Sequence, residues 1–370
     1  MRLDAFTKRV MRKNKSNQSR LPLTISAQYG LVDQITFFNK VVASTDLSNY
    51  YLLKKGEFAY NKSYSSDYPW GAIKRLDNYD QGALSSLYIC FAPQDNVVSD
   101  FILQYFESPK WHKGISEIAV EGARNHGLLN VAVQDFFHTY HYVPKDKKEQ
   151  IKISKLLMLL DERIATQSKI IDKLQSLIKG IVDSTILRKE KNAIVGDVCS
   201  ISEQIRAEAN IDDIITVRLH GNGVCKSSAE NLQLGATQYY RRRAGQLIYG
   251  KQNFHNGAIG IVPISLDNGI TSKDIPSFDI DEMKCNSVYL LAQLQSPQYY
   301  KPAEALTTGT GSKRLKEETF LKMPIVLPNK REQDNIATLI ISISANLDQA
   351  KKMLDLFSIQ KQYLLRQMFI

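Results

Sequence analysis

The chain has 370 residues, 43% of them apolar and 23% charged, with a formal charge of +10. That length exceeds one ordinary core and sets an expectation of two domains. The apolar share excludes a mainly disordered chain, and the basic surplus points to a polyanionic partner: DNA, RNA or an anionic membrane.

The first twenty residues carry seven Lys and Arg but no apolar core long enough for a signal peptide. No apolar run reaches the ~20 residues of a membrane span, so no membrane partner is expected and the protein reads as soluble and cytoplasmic. The 18 Tyr outnumber the 14 Phe, which suits surfaces that are both apolar and hydrogen-bonding. Cys90, Cys199, Cys225 and Cys285 lie far apart, without the spacing of a zinc or redox motif, and read as scattered thiols. Little sequence precedes the first globule, so its opening strand is expected to be missing, or supplied near the second helix.

Residues 1–143 form a first globule, with short β-like runs such as Leu87–Phe91, an amphipathic run from Phe101 to Phe106, and turn residues. Residues 144–188 are one long helix. Pro144 closes the chain entering it, Asp146 is an N-cap acceptor, and Glu149 follows three residues later. A second globule, 189–327, has its own runs at Ile259–Val262 and Val288–Leu294. A second long helix, 328–370, opens with Pro328, Asn329 and Glu332.

The two helical segments are copies. From Gln150 onward they align without a gap at an offset of 183 residues. Ile153 falls on Ile336, Leu156 on Leu339, Leu157 on Ile340, Leu160 on Ile343 and Ile164 on Leu347; Ile171, Leu174 and Ile181 fall on Leu354, Phe357 and Leu364. Steps of three and four describe one narrow apolar stripe, which needs a second helix of the same kind to cover it. The two copies are therefore expected to pack antiparallel inside the chain.

The globules repeat more loosely. Tyr50-Tyr51 through Lys62 resembles Tyr239-Tyr240 through Lys251; Gly71-Ala72-Ile73 resembles Gly257-Ala258-Ile259; Ser108-Pro109 resembles Ser296-Pro297. Phe136 and Phe320 each sit eight residues before the helix-entry proline. The expected fold class is α+β: two similar globules separated by an antiparallel pair of long coiled-coil helices, with pseudo-twofold symmetry. At ~1.5 Å rise per residue each helix would be about 50 Å long, holding the globules apart.

Two basic modules at a fixed separation suit two short sites on one duplex. Candidate readers lie in loops rich in Gly, Asn, Gln and Arg, which allow close backbone approach and bidentate base contacts. In the first globule these are Tyr60, Asn61, Lys62, Ser63 and Tyr64; Lys74 and Arg75; and Arg124, Asn125 and His126 within Glu121–Gly127. In the second they are Arg241 and Arg242; Lys251, Gln252 and Asn253; and Lys313 and Arg314 after Thr307–Ser312.

The run Glu149-Gln150-x-x-Ile153 into Leu159-Leu160-Asp161-Glu162-x-Ile164, the second Glu332-Gln333-x-x-Ile336, and the terminal Leu364-Leu365-Arg366-Gln367-Met368-Phe369 resemble the helices of type I restriction-modification specificity subunits. Leu23–Val32, Phe58–Tyr64 and Glu121–Leu128 resemble one variety of their target-recognition domains. The resemblance covers essentially the whole chain. It implies two target-recognition domains reading a bipartite sequence in double-stranded DNA, and a coiled coil that sets the spacer and docks methyltransferase (modification) subunits. That docking is expected at Gln150, Ile153 and Leu157 and at Gln333, Ile336 and Ile340. It also implies no catalysis and no cofactor in this chain, with S-adenosylmethionine, ATP and Mg²⁺ on the modification and restriction/translocase partners.

Enzyme readings find little support. No Asn/Asp-Pro-Pro-Tyr/Phe tetrapeptide of an adenine methyltransferase exists, and Thr308–Lys313 lacks phosphate-loop spacing. Asp279-x-Asp281-Glu282-x-Lys284 has a nuclease-like ending without a counterpart in the first half, and His138-x-x-His141 lacks the Glu of a zinc helix. The other open reading is a coiled-coil scaffold that reads no sequence. Deleting one heptad within Lys169–Ser176 is expected to change the preferred spacer and leave both half-sites intact, as read by selection from a random duplex pool; an unchanged spacer would show that the helices do not measure it.

Overall fold

The computed structural model describes residues 1–27, 29–40, 44–119, 127–227, 237–309 and 312–369. Backbone proximity divides the chain into two compact units, Met1–Ser168 with Met353–Ile370, and Lys169–Lys352. The first unit holds strands β1 (Thr7–Arg9), β2 (Pro22–Ser26), β3 (Gly30–Asp33), β4 (Tyr51–Lys54), β5 (Phe58–Asn61), β6 (Ala72–Arg75), β7 (Gln81–Leu84) and β8 (Ile89–Pro93). Its short helices are α1 (Gln34–Phe38), α2 (Ser99–Glu107), α3 (His112–Ile118) and α4 (Val133–His138). The long helix α5 (Lys147–Val182) starts in the first unit and ends in the second.

The second unit holds β9 (Ala193–Ile194), β10 (Cys199–Ile201), β11 (Arg206–Ala207), β12 (Ile215–Val217), β13 (Val224–Lys226), β14 (Tyr239–Arg241), β15 (Leu247–Tyr249), β16 (Ile259–Ile261), β17 (Ile270–Ser272), β18 (Ser277–Ile280) and β19 (Pro324–Ile325). Helices α6 (Ser287–Leu294), α7 (Pro297–Tyr300) and α8 (Glu317–Leu321) belong to it, and α9 (Lys330–Gln367) starts here and ends in the first unit. The opening strand of the first globule, expected to be missing or supplied near the second helix, is present within the first ten residues: β1 pairs with β8 as β10 pairs with β18. No helix among the described residues is long and apolar enough to cross a membrane.

The units repeat one topology. An antiparallel sheet runs β1-β8-β5-β6 in the first and β10-β18-β15-β16 in the second. Beside it the first unit has β3-β2-β7-β4, with β2 parallel to β7, and the second has β11-β14-β17 and β12-β13, with Ile214 bridging Ile270 in the same parallel sense. The central strand explains the layering. In β5, Phe58 and Tyr60 face an aromatic and helical core while Ala59 faces the second sheet; in β15, Leu247 and Tyr249 face one core and Ile248 the other. Alternation at period two puts large and small side chains on opposite faces. Gly71 and Gly257 have φ of +78° and +75°, and a Cβ on Gly71 would lie 2.1 Å from the Asn61 carbonyl oxygen, so the repeated glycine is required by the turn into β6 and β16.

Matching aromatics anchor both cores. Tyr60 stacks on Phe136 with centroids 4.9 Å apart, and Tyr249 meets Phe320 at 4.7 Å. Three of the cysteines, Cys90, Cys199 and Cys285, are buried thiols whose pKa burial raises to about 12.

The long helices begin as the sequence predicts. Asp146 accepts from the Lys148 amide at 2.8 Å and Asn329 from the Glu332 amide at 3.0 Å. The Glu332 carboxylate, however, pairs with Lys189. Burial repeats at the 183-residue offset: Leu157 and Ile340 are buried, as are Leu160 and Ile343, while Ile164 and Leu347 are half-buried. Leu156 and Leu339 depart from expectation. They are 44% and 48% exposed, because they sit one residue round the helix from the covered stripe.

Each unit pairs its portions of the helices in antiparallel sense. In the first, Asp161 pairs with Lys361 and the Arg163 guanidinium lies over the Phe357 ring. In the second, Val182 and Ile186 share a core with Ile336 and Ile340. The end of α9 completes the first unit's core, where Phe369 meets Phe101 and Tyr105 at 5.5 Å each. Phe369→Ala should cost about 3–5 kcal/mol, the usual price of an emptied aromatic site. Amide exchange should show the loss of protection confined to the first unit; equal loss in the second would contradict this packing.

Candidate nucleic-acid interface

In each unit the central strand delivers a loop to the surface. β5 ends at Asn61, whose side chain accepts from the Ser63 amide at 3.0 Å in an Asx turn. The loop is held to the segment following residue 126: the Leu129 amide donates to the Lys62 carbonyl at 2.9 Å, the Tyr64 amide donates to Gly127, and Ser63 bridges Leu128. In the second unit β15 leads into Lys251, whose carbonyl accepts from the Leu315 amide at 2.9 Å, while Thr308 and Arg314 bridge across the tip of the other loop. Two loop pairs singled out separately in the sequence are thus joined, in each unit, by the same kind of hydrogen bond.

What these ridges display is polar and mixed. Ser63 and Tyr64 are exposed in the first, Tyr64 by 47%; Gln252, Asn253, Lys313 and Arg314 are exposed in the second, and Lys62 and Lys251 are half-buried. Lys313 pairs with Glu304 at 3.5 Å and Arg314 with Asp274 at 3.3 Å, between side chains roughly half exposed. Exposed pairs of this kind contribute about 0–1 kcal/mol and exchange readily for a phosphate. Lys251 is more tightly held, at 2.7 Å from Glu317. Arg124, Asn125 and His126 lie outside the described residues.

Four expected readers are corrected. Tyr60 is fully buried, donating its hydroxyl to the Trp70 carbonyl at 2.9 Å, because it lies on the core face of β5. Lys74, on β6, is 9% exposed and paired with Glu107 at 2.6 Å. Arg75 donates to the side chains of Ser99 and Asp100 in the first turn of α2 and also pairs with Asp77. Arg242 is fully buried, and burial lowers its pKa to about 10. Its guanidinium donates to Thr271 at 2.7 Å, Ser277 at 2.8 Å and the Ile275 carbonyl at 3.0 Å, and it lies over the Tyr240 ring. Neighbouring Arg241 and Arg243 are exposed.

The expected docking residues are also corrected. Gln150, Leu157, Gln333, Ile336 and Ile340 are buried within their own units, and Ile153 is half-buried against the first unit's core. Other apolar residues of the helices are presented, among them Leu156, Leu159, Leu339 and Ile341, between 44% and 52% exposed.

Among the described residues no group of three His, Cys, Asp or Glu side chains could hold a metal ion. Asp279 accepts from Ser202 and Gln246, and Asp281 pairs with Lys284. His141 is buried between the Tyr105 hydroxyl at 3.0 Å and the Thr139 hydroxyl at 2.7 Å, and burial lowers its pKa to about 4.

The arrangement defines a class: a duplicated α+β chain whose two loop-bearing globules are each completed by portions of two long helices. That is the fold of type I restriction-modification S subunits. The chain is similar to the S subunit of such a system from M. genitalium, at 13% identity and a TM-score of 0.61, with 100% of this chain and 95% of that one covered. A second structure, described as the structural basis underlying complex assembly and conformational transition of the type I R-M system, matches at 12% identity and a TM-score of 0.53, covering 99% and 95%. The HsdS subunit from Thermoanaerobacter tengcongensis matches at 13% identity and 0.44, covering 99% and 94%. No protein-family model matches the chain, and no curated protein sequence matches it.

Arg242→Ala should behave as a core change. It leaves the Thr271 and Ser277 hydroxyls without the guanidinium donor, while the Ile275 carbonyl keeps the Thr271 hydroxyl, at about 1–3 kcal/mol for an unsatisfied buried group. Calorimetry should show a lower Tm for the second unit, while DNA affinity measured well below that Tm stays the same; a selective loss of affinity would return Arg242 to the readers.

Proposed function

We propose that this chain is the DNA-specificity subunit of a type I restriction-modification complex. Each unit reads one half of a bipartite duplex target through its paired loops. The observation that carries this is the repetition: the same sheet order, the same strand-to-loop exit and the same loop-to-loop hydrogen bond occur twice, on a fold shared with S subunits. The charge of +10 supplies sequence-independent attraction to phosphates, while Asn, Gln and Arg in the loops carry the donor and acceptor pairs that base edges require.

In this reading the chain catalyses nothing. Modification subunits dock on the outward apolar residues of the long helices, Leu156, Leu159, Leu339 and Ile341, which a soluble chain gains by covering. S-adenosylmethionine, ATP and Mg²⁺ belong to the modification and restriction/translocase partners.

Selection from a random duplex pool tests the reading: two short defined half-sites at a fixed interval are expected, with affinity falling steeply as salt rises. A scaffold without sequence reading would show neither. Lys313→Ala should weaken all duplexes alike and reduce the salt slope by about 1, whereas Arg314→Ala should cost about 1–3 kcal/mol at one base position if it reads a base edge. Affinity unchanged in both variants would remove this loop from the interface.

A further inference from the structure

One buried polar contact occurs at the root of both long helices. Gln150, in the first turn of α5, is 1% exposed; its Nε2 donates to the Pro144 carbonyl at 2.7 Å and its Oε1 accepts from the Val98 amide at 2.7 Å. Gln333, in the first turn of α9, is also 1% exposed; its Nε2 donates to the carbonyls of Pro328 at 2.8 Å and Lys284 at 3.1 Å, and its Oε1 accepts from the Asn286 amide at 2.8 Å. Val98 and Asn286 are the N-cap residues of α2 and α6. Each glutamine therefore ties the start of a long helix to the start of a globule helix, through one side chain that both donates and accepts.

The globule helices lead to the reading loops. Phe101, Tyr105 and Phe106 of α2 share a core with Tyr60, the last core residue before the Asn61–Tyr64 loop. Tyr289, Leu290 and Leu294 of α6 share a core with Tyr249, two residues before Lys251. The other ties of each helix to its globule are mostly apolar, such as Leu157 and Ile340, with single-ended polar bonds added, Gln104 donating to Asp161 at 2.9 Å and the Asn286 side chain to Asp334 at 2.8 Å. Apolar contact has no direction. A two-ended hydrogen bond does.

We propose that Gln150 and Gln333 are positioning residues for DNA reading: each fixes the orientation of its loop pair on its long helix and so narrows the interval tolerated between half-sites. This rests on the bipartite reading above. The test uses the full chain, unaltered and carrying Gln150→Met or Gln333→Met, which keep the volume and remove every hydrogen bond of the side-chain amide. A duplex pool random in sequence and interval is selected on each, and amide exchange is followed at Val98 and Asn286. Loss of the two bonds of Gln150 or the three of Gln333 is expected to bring adjacent intervals to within roughly tenfold of the preferred one, with the half-site sequences unchanged and the corresponding amide deprotected. An interval as narrow as in the unaltered chain despite a deprotected amide overturns the proposal, as does a uniform loss of affinity with no change of interval. If a Met variant does not fold, Gln150→Glu, which keeps the acceptor and loses the donor, decides: partial broadening supports the assignment, and an unaltered interval contradicts it. Failure of the unaltered chain to select any split sequence would sink the bipartite reading itself, and this proposal with it.

Discussion

A helix of 36 or 38 residues with one narrow apolar stripe cannot cover that stripe alone, and the rest of the structure follows from how it is covered. Here the cover is the other copy, met in antiparallel sense within each unit. Each helix therefore begins on one globule and finishes by completing the core of the other, with Ile186 filling the second unit as Phe369 fills the first. Neither globule is a closed body without the far end of a helix that started elsewhere in the chain. The loops at the strand exits stand on cores that two distant stretches of sequence complete.

The helices were legible because their signals are local and repeated: N-cap acceptors, prolines, and a stripe that recurs at one fixed offset. The loops were marked one by one by Asn, Gly and Lys in turns, but their pairing depends on hydrogen bonds between distant segments and was not legible. The misread positions share a cause. Tyr60 and Arg242 lie near polar residues and look like surface residues, yet strand alternation puts Tyr60 on the same core face as Phe58 and turns Arg242 inward between exposed Arg241 and Arg243. Read at period two, Phe58-Ala59-Tyr60 and Arg241-Arg242-Arg243 show it; read by composition, they do not. Gln150 and Gln333 carried a signal as well. Each is in line with the buried stripe, three residues before Ile153 and Ile336, where a polar side chain must find partners inside. Lys74 and Arg75 could not be placed without knowing that Glu107 and Asp100 fold beside them.

Charge has different uses at different depths. Buried cations such as Arg242 organise loops through neutral acceptors and are unavailable to a ligand. Cations at the loop tips are held by weak, exposed pairs that a phosphate can replace. In the proposed function the surplus of basic residues would supply attraction to a polyanion, and discrimination between bases would fall to a small number of loop side chains.

The central claim is that both units carry a reading surface built from the same two loops. Photo-crosslinking of the full chain to its selected duplex, with bromodeoxyuridine placed in turn through both half-sites and the adducts mapped by mass spectrometry, addresses it directly. Adducts within residues 61–65 and 127–129 for one half-site, and within 251–253 and 307–314 for the other, are the predicted result. Adducts confined to one unit, or falling on the long helices alone, would contradict it.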